Sequence, residues 1–186
     1  MINGPEDDLF IVDQIVSGRK ELFRILAQRY EKAVYGMGLS FFRNAEDAAD
    51  FVQEVFLKSF RSLASFQGRS RFSTWLYRIA YNTAINSLRR SKDYSGTAAQ
   101  SLPEGVDGET PERLSIRAAV AEAVRKAMQD LSEERRICVD LFFFYDQTYQ
   151  EIEIITGFPV NTIKSHVFRA KKLLREKLAE LAEGGF

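Results

Sequence analysis

The chain has 186 residues, 45% of them apolar, and its 26 basic and 26 acidic side chains cancel to a formal net charge of zero. That is apolar material for one packed domain or two small ones, and too little net charge for disorder. A single cysteine, Cys138, and a single histidine, His166, exclude an intramolecular disulfide and a thiolate–imidazole zinc site of ordinary ligand number, so no metal or other cofactor is expected.

Met1 to Asp8 is polar and acidic, without a cationic segment leading into an apolar run, and no apolar stretch approaches the length that spans a bilayer. The expectation is a cytoplasmic protein with no direct membrane insertion. Helical periodicity dominates both ends of the chain, and no run alternates apolar and polar residues long enough to suggest a sheet, which predicts an all-α fold. A short helix is expected near Asp7–Ser17. A second, near Arg19–Gly36, carries Leu22, Phe23, Leu26, Tyr30 and Val34 at steps of three and four. Asn44, three residues before Asp47, is placed to cap a third helix running to about Leu63, whose inward face is expected to hold Ala48, Val52, Val55, Phe56 and Leu63. A fourth begins near Ser73 or Thr74 and continues to about Arg90.

From Ser91 to Pro111 the periodicity is lost and Gly96, Pro103, Gly105, Gly108 and Pro111 collect among Ser, Thr and acids, the composition of a flexible linker. The chain therefore divides into a helical domain at 1–92, a linker at 93–111 and a second helical domain at 112–186. Thr110-Pro111 suits the start of a helix reaching about Asp130, and Ser132 can cap another that ends near Tyr145. Thr148-Tyr149-Gln150-Glu151 has the spacing of a reciprocal capping box and opens a short helix with Ile152 and Ile155. Gly157 and Pro159 end it, and a last helix runs from about Asn161 to Ala182. Short helix, glycine turn and longer basic helix make a helix-turn-helix. Cys138, between Ile137 and Val139, reads as a small core residue.

Three surfaces carry function in this reading. On the last helix, Ile163, Val167, Ala170 and Leu174 turn inward, which leaves Ser165, Phe168, Arg169 and Lys172 outward with Thr162 and Lys164 beside them. A recognition helix enters the major groove with its early residues forward; Arg169 can donate two hydrogen bonds to a guanine and Phe168 can meet a thymine methyl. The alternative is a solvated basic helix with one buried Phe.

The second surface lies in Val55 to Lys92, which contains no Asp or Glu while cations recur among aromatics. Such a surface neutralises phosphates and stacks on unpaired bases. Arg78, Asn82, Asn86 and Arg89 share one helical face there, and the loop Phe66 to Ser70 can wrap a base turned out of a strand. The alternative is that Trp75, Tyr77 and Ile79 are core and the polar face is wet. Third, Asp47, Asp50 and Glu54 crowd one side of a helix with Gln53 beside them and Phe51 at the margin. They are splayed along an exposed face instead of converging on a cleft, which argues against acid–base catalysis; the choices left are a solvated face or a docking face for a basic protein.

The run from Asn44 to Phe56, followed by Phe72-Ser73-Thr74-Trp75-Leu76-Tyr77-Arg78-Ile79-Ala80-Tyr81-Asn82, resembles the second conserved region of extracytoplasmic-function sigma factors of the sigma-70 family. Thr148 to Ile152 with Val160 to Ala170 resembles that family's fourth region. The resemblance implies a non-enzymatic subunit that joins RNA polymerase core and reads two promoter elements. It assigns Asp47, Asp50, Gln53 and Glu54 to the clamp helices of the largest polymerase subunit. It assigns Phe66, Ile79 and Asn82 to the flipped-base pocket of the −10 element, where Arg78, Asn86 and Arg89 flank them, and Lys164, Ser165, Phe168 and Arg169 to the −35 element. The family also implies an anti-sigma factor as partner, and a linker threaded through the polymerase, which suits the acids Asp93, Glu104, Asp107 and Glu109. Asn86 stands where many members carry Asp, and Asn161 where Gly is frequent; both bear on the promoter sequence more than on the role. An ordinary helix-turn-helix regulator explains the last helix and leaves the second basic-aromatic surface unexplained.

Overall fold

The computed structural model describes residues 5–92 and 133–183, and every regular element among them is helical. The expected linker, the helix from Thr110 to Asp130 and the Ser132 cap lie outside the described residues. The described residues fall into two compact units: 5–92 belong to the first, with which 153–157 are also grouped, and the rest of 133–183 to the second.

In the first unit α1 spans Pro5–Val16 and a 3-10 turn at Lys20–Leu22 leads into α2, Phe23–Phe42. α2 continues past Gly36, where the sequence suggested an end, because tertiary packing outweighs glycine's weak helix propensity. At Gly38 it also needs glycine. A Cβ there would sit 2.9 Å from the Phe51 ring and 3.1 Å from the Ala48 backbone of the next helix, so the missing side chain is what lets the two helices approach. α2 ends at Arg43, held at φ +59° with its N–H donating to the Leu39 carbonyl at 3.0 Å. Asn44 then caps α3, Ala45–Ser62, its Oδ1 accepting from the Asp47 N–H at 2.8 Å. A 3-10 turn at Leu63–Ser65 and a loop follow, and α4 spans Phe72–Lys92.

α2, α3 and α4 pack against one another over Val34, Met37 and Phe41, over Ala48, Phe51 and Val55, and over Leu76, Ala80 and Ala84, all buried. Phe51 is not at the margin of the acidic face, as its helical position suggested: it is 3% exposed, drawn into the slot beside Gly38. Val52 and Phe56, expected inside, are only half-buried, and the Phe56 ring meets Phe23 edge-on at 6.3 Å. α1 is anchored by Asp8, which is 1% exposed and takes the Arg29 guanidinium and the Tyr30 hydroxyl of α2. The Tyr30 ring lies 5.5 Å from Phe72 and 6.4 Å from Tyr77, which carries the same network into α4.

Among the C-terminal helices α5 spans Glu133–Phe143, α6 Tyr149–Thr156 and α7 Val160–Glu183. α5 packs on α7, with Val139 meeting Ala170 and Leu173, and Cys138 is fully buried as expected. The capping box forms as read. Glu151 Oε2 accepts from the Thr148 N–H at 2.8 Å, and the Glu151 N–H donates to Thr148 Oγ1 at 3.2 Å. α6 closes at Gly157, φ +77°, whose N–H reaches the Glu153 carbonyl at 2.8 Å.

The buried phenols make the first unit sensitive to alkali. Burial, with the Asp8 carboxylate nearby, pushes Tyr77 up to about 12, and burial with the hydrogen bond to Asp8 raises Tyr30 as well. Both phenols are neutral in folded and unfolded chains below pH 10, so their full contribution is present there. Between pH 10 and 12 the unfolded chain ionises first, and stability falls by up to about 1.4 kcal/mol per pH unit per phenol. Urea unfolding across this range should decline less steeply in Tyr77→Phe than in the native chain; parallel declines refute the assignment.

Candidate nucleic-acid interface

The acidic face of α3 is where the periodicity put it. Asp47, Asp50 and Gln53 are exposed, and Glu54 is half-buried, its Oε1 2.7 Å from Lys58 Nζ. Two apolar side chains share this face and were not foreseen: Leu57, 49% exposed, and Phe60, 37% exposed. Leu57 falls four residues after Gln53 and seven after Asp50, and Phe60 seven after Gln53, so the signal was present in the spacing. Leu57 and Phe60 add exposed apolar surface next to Asp50, Gln53 and Glu54, and the Phe60 ring also meets Phe23 at 5.0 Å.

α4 presents the second surface. Arg78, Asn82, Asn86 and Arg89 are all exposed along one side, and the Asn86 carbonyl is occupied by Arg90 Nε at 3.3 Å, leaving the Asn86 amide side chain outward. The opposite side is core: Leu76, Tyr77, Ala80, Tyr81 and Ala84 are buried. Ile79 and Trp75 are half-buried between the two. Phe66, at the start of the preceding loop, is half-buried and packs 5.7 Å from Phe72 and 5.4 Å from Trp75. It is one wall of an aromatic cluster and not a free ring. The loop then turns at Gly68, φ +64°, where an added Cβ would lie 3.2 Å from Leu9 of α1, so Gln67, Arg69 and Arg71 stay exposed while the turn rests on the first helix. Lys58, grouped by sequence with the cations of this surface, faces Glu54 and donates to Thr83 Oγ1 of α4 at 3.2 Å.

The third surface is the helix-turn-helix. Ile152, Ile155, Ile163, Val167 and Ala170 are buried; the side chain of Leu174 lies outside the described residues. Phe168 is 69% exposed and Arg169 stands out beside it; Ser165 and Thr162 are half-buried. Lys164 is exposed, 5.9 Å above the Tyr149 ring, and Lys172 is exposed with a loose contact to Glu176 at 3.9 Å. His166 is half-buried with its ring edge-on to Phe158 at 6.3 Å. Lys171, by contrast, is committed to packing. Its Nζ lies 4.9 Å over Phe142, which stacks on Tyr149 at 5.0 Å, so this lysine braces α7 on the rest of the unit. Among the described residues no group of His, Cys, Asp and Glu could hold a metal ion, and no helix is long and apolar enough to cross a membrane.

Known proteins share this arrangement. The family described as Sigma-70 region 2 matches residues 26–94, and Sigma-70, region 4 matches residues 121–174. The RNA polymerase sigma-H factor of Pseudomonas aeruginosa is 36% identical over 95% of this chain and 96% of its own length. Sigma-E factors of the extracytoplasmic-function class from Haemophilus influenzae and Escherichia coli are each 34% identical over 94% of this chain. The sigma factor RpoE from Bartonella quintana, solved in complex with the anti-sigma factor NepR, shares the fold at a TM-score of 0.69 and 24% identity, over 84% of this chain and 96% of that one. CnrH, solved with the cytosolic domain of CnrY, shares it at 0.65 and 20% identity, over 91% and 96%. The chain belongs to the extracytoplasmic-function RNA polymerase sigma factors of the sigma-70 family.

Proposed function

We propose that this alternative sigma factor docks on the clamp helices of the largest polymerase subunit through the outer face of α3 and holds separated promoter DNA against α4. The observation that carries the reading is the juxtaposition in one packed unit of an acidic face with exposed Leu57 and Phe60 and an acid-free helix with an outward Arg/Asn stripe. Asp47, Asp50, Gln53 and Glu54 supply complementary charge and hydrogen bonds to a basic partner; Leu57 and Phe60 supply apolar anchors. On α4 a base of the −10 element turned out of the non-template strand meets Phe66, Ile79 and Asn82, while Arg78, Asn86 and Arg89 grip the strand. On α7, Thr162, Lys164, Ser165, Phe168, Arg169 and Lys172 face the −35 element.

No reaction is assigned to the protein itself. Strand separation follows from capture of unpaired bases, without nucleotide hydrolysis by this chain. Each DNA contact is weak alone, and tethering both to one polymerase raises the effective concentration of the second, so the isolated subunit binds promoter duplex poorly. The domain plan is 1–92 for core and −10 binding, 93–111 as connector and 112–186 for −35 binding. The protein acts in the cytoplasm, where the polymerase is. An anti-sigma factor covering these surfaces is the proposed regulator, by likeness to the sigma factor RpoE, whose solved structure contains the anti-sigma factor NepR.

Core polymerase supplemented with this protein should start transcripts at a shared sequence signature in a genomic promoter pool; the absence of new starts would overturn the reading. Asn82→Ala should slow promoter opening about tenfold while leaving core affinity intact, a barrier increase of about 1.4 kcal/mol. Permanganate footprints unchanged from the native protein would remove Asn82 from the pocket. Arg169→Ala should weaken upstream-element recognition by about 1–3 kcal/mol, as for a lost bidentate base contact. Equal losses on matched and scrambled upstream elements would reduce Arg169 to a phosphate contact.

A further inference from the structure

Lys58 links the two helices that carry the functional surfaces of the first unit. Its Nζ lies 2.7 Å from Glu54 Oε1, on the polymerase-facing side of α3, and donates at 3.2 Å to Thr83 Oγ1 of α4. Thr83 is 2% exposed and stands four residues after Ile79 on the same side of α4, so the ammonium group lies about one helical turn from that wall of the proposed base pocket. The two attachments differ in kind. The Glu54–Lys58 pair is an i,i+4 ion pair with both side chains 40% exposed, hence screened by water and exchangeable for another cation. Thr83 is buried in the packed helix, and its hydroxyl stays where α4 puts it.

A basic partner that engages the acidic face brings its own cation to Glu54. The Glu54 carboxylate cannot neutralise both cations fully, and like-charge repulsion pushes Lys58 off it. The hydrogen bond to Thr83 survives this exchange, leaving a less compensated charge on the Ile79 side of α4, from which it acts on a phosphate of a strand held there. We propose that Lys58 is a gated DNA contact: masked by Glu54 in the free subunit, and released by polymerase docking to neutralise a phosphate of the captured strand. This rests on the assignment of α3 to polymerase and of α4 to the −10 strand. It gives the free subunit a second reason for poor DNA binding, since one of its cations is held by an acid until the polymerase arrives.

The experiment uses holoenzyme assembled from core and the full chain, and a fluorescent single-stranded oligonucleotide carrying the non-template sequence of a mapped transcription start, titrated over a range of salt. Lys58→Met, which keeps the apolar stem, should weaken binding about threefold to tenfold at low salt and lower the log–log salt slope by about 0.7, one phosphate on a single strand; Lys58→Arg should keep the slope. In the isolated subunit, Glu54→Gln should raise affinity for the same oligonucleotide, and adding Lys58→Met should abolish that gain. A weakened Lys58→Met holoenzyme with an unaltered salt slope would make Lys58 a packing residue and overturn the proposal, as would a Glu54→Gln gain that persists without Lys58. Loss of oligonucleotide binding with an unchanged response to Asn82→Ala is a separate result: it overturns the −10 assignment of α4, and this inference with it.

Discussion

The seam in which α2, α3 and α4 meet governs where every charged group of the first unit can go. Each helix commits one face to it, and at Gly38 the backbones come so close that no Cβ fits between α2 and the Phe51 ring. A helix with one face buried has little choice about the rest. Once Ala48, Phe51 and Val55 are inside, Asp50, Gln53, Leu57 and Phe60 must face out; once Leu76, Ala80 and Ala84 are inside, Arg78, Asn82 and Asn86 must. The separation of the acidic face of α3 from the basic face of α4 is thus a packing consequence, with the chemistry written into the residues that packing leaves over.

The same unit keeps its polar interior small and paired. Asp8 is buried with the Arg29 guanidinium and the Tyr30 hydroxyl on its carboxylate, and removing one member of such a set costs about 3–5 kcal/mol because the other charge is left without compensation. Its position ties α1 to α2, and through Tyr30, Phe72 and Phe66 it adjoins the loop that precedes α4. The exposed Glu54–Lys58 pair is the opposite case, a weak interaction in water whose use lies in being replaceable.

In the second unit, local interactions prepare a single helix for the groove. The Thr148–Glu151 box starts α6 and Gly157 ends it, so the entry of α7 follows after a short turn. Lys171 lies over Phe142 and bears on the aromatic stack, while Phe168 and Arg169 stand in solvent.

Among the described residues, sequence alone determined the helices, both caps at Asn44 and Thr148, the break at Gly157 and the sorting of charge, because capping and amphipathic periodicity are local properties that a chain carries wherever it packs. The outward order of Phe168 and Arg169 and of Arg78, Asn82 and Asn86 was legible for the same reason. What a period cannot supply is the identity and closeness of the neighbour. Only the tertiary structure decided that α2 continues through Gly36 and Gly38, that Phe51 is core while Val52 and Phe56 are not, that Phe66 is built into an aromatic cluster, that Asp8 is buried and that Lys58 joins Glu54 to Thr83. Each of these depends on how near a second helix comes, and that distance is set by side chains far away in the chain.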